Sequence, residues 1–409
     1  MKKNKSLLII GKVWPEPSSS AAGIRMTQLI DFYQTLSYQI TFASTAKESE
    51  FQIDLKRLDI STKAIELNSS SFDVFISKLA PEVVIFDRFM TEEQFGWRVM
   101  EQCPDAFRIL NTEDLHFLRR ARQTSIKITG DLSNVELRTD DATREITSIY
   151  RSDLTLLVSD IEMELLNSEF QVPKSILFHL PVFAEKSITS IPSFDSREGF
   201  MFIGNFYHEP NWDALRFLKE SIWPKIRLKL PAAVLNVYGA YPSQKVLDFH
   251  NPKQGLLVHG RVEDAVELTL KSRVSLAPLR FGAGIKGKLL EAMSAGTPSV
   301  TTLIGAEGMA DTQNWCGTAT DDVDQFVNSA VSLYTDEVFW KESQTRGFEI
   351  IKNRFKSAMY LEKFEHRLTE IQDNLKAHRK KYFVQQLVQH QSLMSNRFLS
   401  KWIEEKNKS

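Results

Sequence analysis

Short, almost uninterrupted apolar runs alternate with longer helical stretches along most of the chain, and this alternation narrows the possible folds more than any other feature. The runs are rich in Val, Ile, Leu and Phe, which is typical of parallel strands that are covered on both faces. Predicted helices such as Gly23–Leu36 and Ala142–Tyr150 separate the runs, so the pattern indicates right-handed βαβ units and open, doubly wound α/β sheets. The predicted strands are Ser6–Gly11, Tyr38–Ser44, Glu82–Asp87, Phe107–Thr112, Leu154–Ser159, Ser175–Leu180, Phe200–Asn205, Ala233–Gly239, Leu256–Gly260, Arg273–Leu279 and Ser299–Ile304.

A linker-like segment divides this series of strands into two sets. Phe183–Gly199 contains four serines, one proline and mixed charges, with no hydrophobic periodicity. We therefore predict an N-terminal domain over residues 1–190, a C-terminal domain over residues 191–355 and a helical extension over residues 356–409. Ligands of doubly wound sheets bind beyond the carboxyl ends of the strands, so we expect the two domains to face each other across a cleft.

Charge and cysteine content exclude several classes of protein. The 409 residues include 51 basic and 52 acidic side chains, a balance that argues against nucleic-acid binding. Two cysteines far apart in the sequence, Cys103 and Cys316, provide neither a disulfide framework nor a thiolate metal cluster. The apolar run near the N-terminus is too short for a signal peptide, and no segment approaches the ~18 apolar residues of a membrane span. We expect a soluble, cytoplasmic protein.

The segment Ala277–Thr302 carries the strongest chemical signal. A predicted strand ends there, a loop with three glycines and two lysines follows, and a helix starts near Leu289. Glycine lets a backbone approach a ligand closely, and a helix N-terminus presents free N–H groups and the positive end of the helix dipole. Together with Arg280, Lys286 and Lys288, these features predict an anion site suited to a diphosphate. The alternative is an ordinary glycine-rich turn whose lysines only interact with solvent.

This segment resembles the nucleotide-sugar site of retaining GT-B glycosyltransferases of family 4 (glycosyl transferases group 1). Glu291-Ala292-Met293, Gly296, Pro298 and Val300 match the motif L-x-E-A-M-x-x-G-x-P-V-V, and the preceding PLRFGAGIKGK is a form associated with bacterial members. The resemblance is most specific over Phe200–Thr320. It implies the GT-B architecture, in which two Rossmann-like, doubly wound domains face each other across a cleft and C-terminal helices pack back on the N-terminal domain.

In the resembled family, the helix glutamate, here Glu291, binds the ribose hydroxyls of the donor nucleotide. A second family glutamate, eight residues earlier, is replaced here by Ala283, and a basic residue of the first donor-domain loop is replaced by His208 and Asn211. The resemblance implies a donor-binding set of Gly204, Asn205, His208, Asn211, Tyr238, Gly239, Arg261, Val262, Arg280, Gly282, Gly284, Ile285, Gly287, Leu289 and Glu291.

Two segments of the N-terminal half are candidates for the acceptor side of the cleft. Trp14–Arg25 is rich in proline, serine and glycine and suits a loop over a cleft, with Gly23 and Arg25 as candidates, although a plain strand-to-helix loop fits equally well. Asn111–Arg119 follows a predicted strand, and the resemblance implies that its histidine, His116, contacts the transferred sugar; the alternative is a structural histidine. The other acceptor-side candidates are Asp114, Arg119 and Ser159.

The resemblance implies transfer, with retention, of a sugar from a UDP- or GDP-sugar to a glycan or lipid-linked acceptor. His116, Lys286 and Lys288 are the catalytic candidates, with the lysines stabilising the leaving diphosphate. The sequence shows no paired-aspartate motif and no evident nucleophile, so we expect neither a metal nor another cofactor. A nucleotide-sugar epimerase of the same architecture and a non-catalytic GT-B protein that binds a nucleotide sugar, a glycan or a protein partner remain alternatives.

The last part of the chain combines basic and apolar residues. Between Asp373 and Ser409 there are eight basic and three acidic side chains, and apolar residues recur at Phe383, Leu387, Phe398 and Trp402. This pattern favours an amphipathic helix. Such a helix could pack back on the N-terminal domain, pair with another chain, or rest on an anionic membrane, which would make the protein peripheral to the inner face of that membrane.

Overall fold

The strands of the computed structural model form two parallel sheets within the residues that it describes, 5–185 and 188–408. The predicted linker contains Lys186 and Ser187, which lie outside the described residues, as do the basic residues Lys2 and Lys3 at the start of the chain. Here the N-terminal half means the elements up to β7, and the C-terminal half means β8 to α14. Both sheets are Rossmann-like, which confirms the fold class predicted from the sequence.

The N-terminal half contains a seven-stranded sheet in the order β3-β2-β1-β4-β5-β6-β7. Its strands are β1 (Ser6–Gly11), β2 (Gln39–Ser44), β3 (Ser61–Ala64), β4 (Val83–Asp87), β5 (Phe107–Asn111), β6 (Leu154–Leu157) and β7 (Leu177–His179). Its helices are α1 (Ala21–Thr35), α2 (Ser71–Leu79), α3 (Phe89–Gln102), α4 (His116–Thr129), α5 (Asp140–Arg151) and α6 (Asp160–Phe170).

The C-terminal half contains a six-stranded sheet in the order β10-β9-β8-β11-β12-β13. Its strands are β8 (Glu198–Ile203), β9 (Leu235–Tyr238), β10 (Leu256–Gly260), β11 (Ser272–Ala277), β12 (Ser299–Thr301) and β13 (Gly317–Ala319). Its helices are α7 (Glu209–Phe217), α8 (Trp223–Lys229), α9 (Gln244–Leu247), α10 (Ala265–Lys271), α11 (Gly287–Ser294), α12 (Leu303–Ala306), α13 (Val323–Thr335) and α14 (Glu337–Arg354), and a π-helical turn, Leu218–Ile222, joins α7 to α8.

Apolar side chains cover each face of the first sheet. In β1, Leu7 and Ile9 belong to one buried cluster, and Leu8 and Ile10 belong to another. Consecutive side chains of a strand point to opposite faces, so a continuous apolar run is what a sheet covered on both sides requires. This burial explains why the strands could be recognised from the sequence without any alternation of polar residues.

Three further helices, α15 (Leu361–Asp373), α16 (Leu375–Lys380) and α17 (Phe383–Lys408), return to the N-terminal half. Phe364, Leu368 and Ile371 of α15 join the buried cluster that contains Leu7 and Ile9. Arg379 donates to both carboxylate oxygens of the fully buried Asp153 at 2.7 Å. None of the described helices has the length and the apolar character that crossing a bilayer requires.

Candidate active site

The glycine-rich loop between β11 and α11 packs directly against the N-terminal half. Gly284 has a φ of +63°, and a Cβ at this position would lie 3.0 Å from the Cβ of Asp114 and 3.2 Å from the carbonyl oxygen of Glu113. Both Asp114 and Glu113 follow β5. A residue with a side chain would therefore be strained in its backbone and crowded by its neighbours, and glycine meets both requirements.

The N-termini of α1 and α11 meet at this place. Gly287 is the first residue of α11, and a Cβ on it would lie 2.5 Å from the Cβ of Ala21, the first residue of α1. Ser20 caps α1 by accepting a hydrogen bond from the backbone N–H of Gly23 at 3.1 Å. Each helix N-terminus carries unpaired N–H groups and the positive end of a helix dipole. Two such ends side by side make this part of the cleft attractive to an anion.

Lys288 lies on the first turn of α11 and contacts the start of the second sheet's first helix, α7. Its Nζ donates to Oδ1 of Asn211 at 2.6 Å and lies 4.8 Å from the ring centroid of Phe202. Asn211 is held in turn because its Nδ2 donates to the carbonyl oxygen of Asn205 at 2.8 Å. Burial lowers the pKa of Lys288 to about 7, although the carboxylate of Glu291 on the same helix favours the charged form. A bound anion would restore the full charge.

Lys286 precedes α11 and is turned towards its own loop. The side chain is 8% exposed, and its Nζ donates to the carbonyl oxygen of Gly284 at 2.8 Å. Burial lowers the pKa of Lys286 to about 8 against the opposing effect of the Glu307 and Glu162 carboxylates. Lys286 and Lys288 thus flank the N-terminus of α11 with ammonium groups whose charge responds to their surroundings.

His116 begins α4 on the opposite side of the cleft. Its Nε2 lies 3.4 Å from Oδ1 of Asp114, which also forms an ion pair with Arg119. Nδ1 of His116 is buried and has no hydrogen-bond partner among the described residues. Burial lowers the pKa of His116 to about 3, so the ring is neutral near pH 7 and can exchange hydrogen bonds without carrying charge.

Two buried carboxylates that are not among the predicted site residues hold the loop 112–115, here called the His116 loop because it leads into His116. Glu145 accepts hydrogen bonds from the backbone N–H groups of His116 and Phe117 at 3.2 and 2.9 Å. Glu162 accepts from the backbone N–H of Leu115 at 3.3 Å and from that of Gly284 at 2.6 Å. A single carboxylate therefore joins the loop that carries His116 to the loop that carries Lys286.

The spacing of Ser159 and Glu162 in the sequence predicts that Glu162 caps its own helix, and not that it contacts the other half of the chain. Ser159 and Glu162 have the S-x-x-E spacing of a capping box, in which the glutamate turns back to the backbone N–H of the cap residue. Ser159 does accept from the backbone N–H of Glu162 at 3.4 Å, whereas the carboxylate of Glu162 reaches across to Leu115 and Gly284. The spacing identifies the helix start, and only the tertiary structure shows the contact between the halves.

Further polar contacts close the cleft. Arg122 of α4 donates to both carboxylate oxygens of Glu307 at 2.8 Å and to the carbonyl oxygen of Gly282 at 2.8 Å. Arg261 donates to Oγ of Ser18 at 3.2 Å and covers the ring of Phe51 at 3.9 Å. The two halves are therefore in contact along the cleft and not held apart by solvent.

The structure brings together many of the residues predicted from the sequence. Asn205, Asn211, Gly284, Gly287, Lys286, Lys288 and His116 lie around the meeting point of α1, α11 and the His116 loop. Asn205 also approaches the N-terminal half, with its Nδ2 at 3.5 Å from the carbonyl oxygen of Ser19.

Other predicted site residues have structural contacts of their own. The side chain of Leu289 is fully buried in the core. Arg280 forms a bidentate ion pair with Asp213 of α7. Tyr238 stacks on His259 with ring centroids 4.9 Å apart. Arg25 is 1% exposed and donates to Oδ1 of Asn111 at 2.9 Å and to the carbonyl oxygen of Leu180. These contacts position the cleft walls, and the roles of these residues towards a ligand remain predictions.

Among the described residues, no group of three or more His, Cys, Asp and Glu side chains could hold a metal ion. The chemistry of the donor set is that of an anion site, since ammonium groups and helix N–H groups dominate it. Reaction without a metal remains a prediction.

Comparisons with known proteins agree with this architecture. Residues 197–336 match the family model described as glycosyl transferases group 1, and this segment contains every residue of the predicted donor-binding set. No curated protein sequence matches the chain. The family match thus covers β8 to α13, the part that holds Lys286, Lys288 and α11.

Several solved GT-B structures are similar in fold. Staphylococcus aureus TarM superposes with a TM-score of 0.69 at 9% identity, covering 90% of this chain and 99% of that one. HepE from Anabaena, in complex with UDP and glucose, gives 0.64 at 12% identity and covers 89% of this chain and 99% of that one.

A mutant of TarM in complex with UDP, α-GlcNAc-glycerol and fondaparinux gives a TM-score of 0.57 at 12% identity, with 72% of this chain covered. In that comparison the chain spans 57% of the length of the other protein. Together these likenesses show a GT-B fold, and residues 197–336 are similar to glycosyl transferases group 1.

Proposed function

We propose that the protein is a family 4 glycosyltransferase that moves a sugar from a UDP- or GDP-sugar to a glycan or lipid-linked acceptor with retention of configuration. One observation carries the proposal: the N-termini of α1 and α11 converge with Lys286 and Lys288 opposite the His116 loop. A doubly negative diphosphate fits that combination, because helix N–H groups and ammonium groups both favour anions.

The proposed role of the lysines follows from where charge develops during transfer. When the bond between sugar and diphosphate breaks, the leaving group gains negative charge. Lys288 lies on the first turn of α11 and is held by Asn211 at 2.6 Å, so its ammonium group is already positioned beside the helix N-terminus where the diphosphate is proposed to bind. Burial lowers the pKa of this lysine to about 7 in the free protein. The negative charge that develops on the leaving group raises this pKa, so the lysine binds its proton more tightly during transfer.

His116 has the proposed role of a hydrogen-bonding contact to the transferred sugar. Its ring is neutral and held near Asp114, while Nδ1 is buried without a partner in the part of the chain that the structure describes. Because that nitrogen is buried, the proposed hydrogen bond with a sugar hydroxyl requires the residues around His116 to shift when the donor binds. No side chain is proposed as a covalent nucleophile.

UDP is the first nucleotide to test, because HepE and TarM have been solved with UDP bound. The purified chain is titrated with UDP, GDP, ADP, CMP and their common sugar conjugates in metal-free buffer, and its thermal unfolding is followed. We expect one nucleoside diphosphate to raise the melting temperature selectively, since a ligand at a hundredfold excess over Kd stabilises by about 2.7 kcal/mol. The absence of any rise in a folded sample would overturn the proposal.

Transfer and its stereochemistry need a second measurement. Once the donor is known, candidate acceptors are incubated with it and the anomeric proton coupling of the product is read by NMR. Retention predicts that the anomeric configuration of the product equals that of the donor. Inversion would remove the family 4 part of the proposal and leave the nucleotide site intact.

A non-catalytic binding protein is the second candidate function. One observation favours it: Ala283, which stands where the family has its first motif glutamate, packs against the apolar core of the N-terminal half. The chain therefore offers the donor sugar no carboxylate at that position. Selective nucleotide binding, with neither transfer nor hydrolysis for any donor and acceptor, would support this candidate.

A further inference from the structure

The outward face of α17 carries large apolar side chains that contact solvent. The exposed fractions of its six described members range from 47% to 70%, and the members are Phe383, Val384, Leu387, Phe398, Leu399 and Trp402. They lie on the side of the helix away from Gln385 and Ser400, which are 0% and 5% exposed and face the N-terminal half. The six side chains form one group at each end of the helix, and exposed apolar side chains grouped in this way mark an interaction site more often than isolated ones do. We call these six side chains the outer face.

The helix that carries the outer face is fixed to the protein. Gln385 donates to the carbonyl oxygen of Ser152 at 2.8 Å, and Arg98 donates to Oγ of Ser400 at 3.1 Å. Near the end of the helix, Glu404 accepts from the backbone N–H of Ser70 at 2.9 Å. Both ends of α17 are therefore attached, so the outer face is a defined surface of the folded chain.

Positive charge flanks the outer face. The segment from Asp373 to Ser409 has eight basic and three acidic side chains, whereas the whole chain has a net charge of −1. Lys380 and Lys381 are exposed just before α17, and Lys401 is exposed near its end. Lysine can lay its aliphatic stem along an apolar surface while its ammonium group reaches a polar layer.

We propose that the outer face docks on an anionic lipid membrane, with α17 lying in the plane of the bilayer surface. A helix with exposed Phe, Leu and Trp on one face and lysines at its borders has the chemistry that inserts into the boundary between headgroups and acyl chains. Trp402 fits this position because indole combines an apolar ring with one N–H donor. This inference concerns a surface outside the cleft and does not depend on the transfer reaction.

A second copy of the chain fits the outer face less well. In a two-fold interface the same patch meets itself, so the net positive charge of the segment 373–409 in one copy would approach that of the other. Like charges brought together at the border of an apolar contact oppose association. A negatively charged bilayer supplies the opposite charge along the whole helix.

Docking through α17 would also orient the cleft relative to the membrane surface. Gln385 of α17 donates to the carbonyl oxygen of Ser152, which precedes β6 at the amino edge of the first sheet. Glu404 contacts Ser70, which lies after β3 at the carboxyl edge of the same sheet. The helix therefore runs from one edge to the other, and its Trp402 end lies towards the edge where the candidate active site opens.

The test uses the full chain and sedimentation with lipid vesicles. We expect binding to phosphatidylcholine vesicles that contain phosphatidylglycerol, weaker binding in high salt, and little binding to phosphatidylcholine alone. The double variant Phe398→Ser, Trp402→Ser should lower the partition coefficient about tenfold or more, since it removes two aromatic side chains from the bilayer. Leu228→Ser is the matched control, because Leu228 is 83% exposed on α8 of the other half.

A charge variant provides an independent readout. Lys380→Gln, Lys381→Gln, Lys401→Gln should weaken binding to the anionic vesicles and reduce its salt dependence. Failure of the wild-type chain to bind either vesicle would overturn the proposal, as would equal losses for Leu228→Ser and the double variant. It would also be overturned by a dimer in sedimentation equilibrium that the double variant abolishes, with no vesicle binding, because a second copy would then cover the outer face.

Discussion

Lys288 is the residue on which the proposed anion site depends most. It combines a short hydrogen bond to Asn211 with a place on the first turn of α11. We expect Lys288→Ala to weaken binding of the nucleoside diphosphate about 10- to 100-fold, because a hydrogen bond to a charged group contributes about 1.5–3 kcal/mol. Isothermal titration calorimetry measures this change. Lys376→Ala is the control, since Lys376 is exposed on α16 far along the chain, and equal effects of the two substitutions would remove the diphosphate-site assignment.

The pKa of the same lysine predicts a pH dependence of binding. Burial lowers this pKa from 10.5 to about 7. The free protein therefore loses the proton as pH rises through that value, and an anion that binds the protonated form must restore it. We expect affinity to fall with rising pH above about 7, with proton uptake on binding. Titrations in two buffers of different ionisation enthalpy detect that uptake at about pH 8, and Lys288→Ala should reduce it. Binding without proton uptake would contradict the assigned environment.

At the scale of elements, a substitution in the glycine-rich loop between β11 and α11 tests whether contact between the two halves is needed for the reaction. Gly284→Ala introduces a residue at positive φ and a Cβ 3.0 Å from that of Asp114. Gly130→Ala is a close control, because Gly130 has a φ of +84° and a Cβ there would meet nothing within 4 Å.

Backbone strain should lower the free energy of unfolding of both variants by about 1–2 kcal/mol, and the contact with Asp114 should add to the loss in Gly284→Ala. We expect Gly284→Ala alone to reduce nucleotide affinity and transfer, because it alone pushes the loop away from the His116 side of the cleft. Chemical denaturation and transfer assays separate the two effects. Equal activity of both variants would show that the loop contact is not needed.

The sequence predicted elements well where burial creates an uninterrupted apolar run. β1 and β10 have the predicted bounds, and the other predicted strands differ by a few residues at their ends. β3 and β13 were not predicted. All four residues of β3 are exposed, and β13 has only three partly buried residues, so neither has the apolar run that marks a central strand.

At the scale of the whole molecule, Arg122 and Glu307 should stabilise the contact between the halves. The two side chains are 11% and 20% exposed, and the two terminal guanidinium nitrogens of Arg122 each donate to one carboxylate oxygen of Glu307 at 2.8 Å. We expect Arg122→Ala to favour an open arrangement, raising the radius of gyration in solution scattering and raising KM for the donor about 5- to 30-fold, because the pair contributes about 1–2 kcal/mol.

Arg144→Ala is the control for that experiment. Arg144 also forms a bidentate ion pair, in which Nε and Nη2 donate to the carboxylate oxygens of Glu93 at 2.9 and 2.6 Å. Both partners of this pair belong to the N-terminal half. Its loss should leave KM and the radius of gyration unchanged. The assigned role of Arg122 would be wrong if the two variants behaved alike.

Local signals in the sequence indicated the anion site, but not the contacts that complete it. Gly287, Lys288 and the helix start are close in sequence, and their chemistry depends on that closeness. Glu162 and Gly284 are separated by 122 positions, and Arg122 and Glu307 by 185. Each of these residues lies in an otherwise ordinary loop or helix. No periodicity or spacing encodes such pairs, so only the folded chain reveals that one carboxylate connects the two sides of the cleft.

The return of α15 to the first sheet has a consequence for how the chain is made. Phe364, Leu368 and Ile371 share a buried cluster with Leu7, Ile9 and Ile40. The N-terminal half therefore lacks part of its core while the ribosome synthesises the second sheet, and domains that emerge first usually fold first. We infer that the apolar face of the nascent first half stays incompletely covered, and accessible to chaperones, until α15 leaves the ribosome.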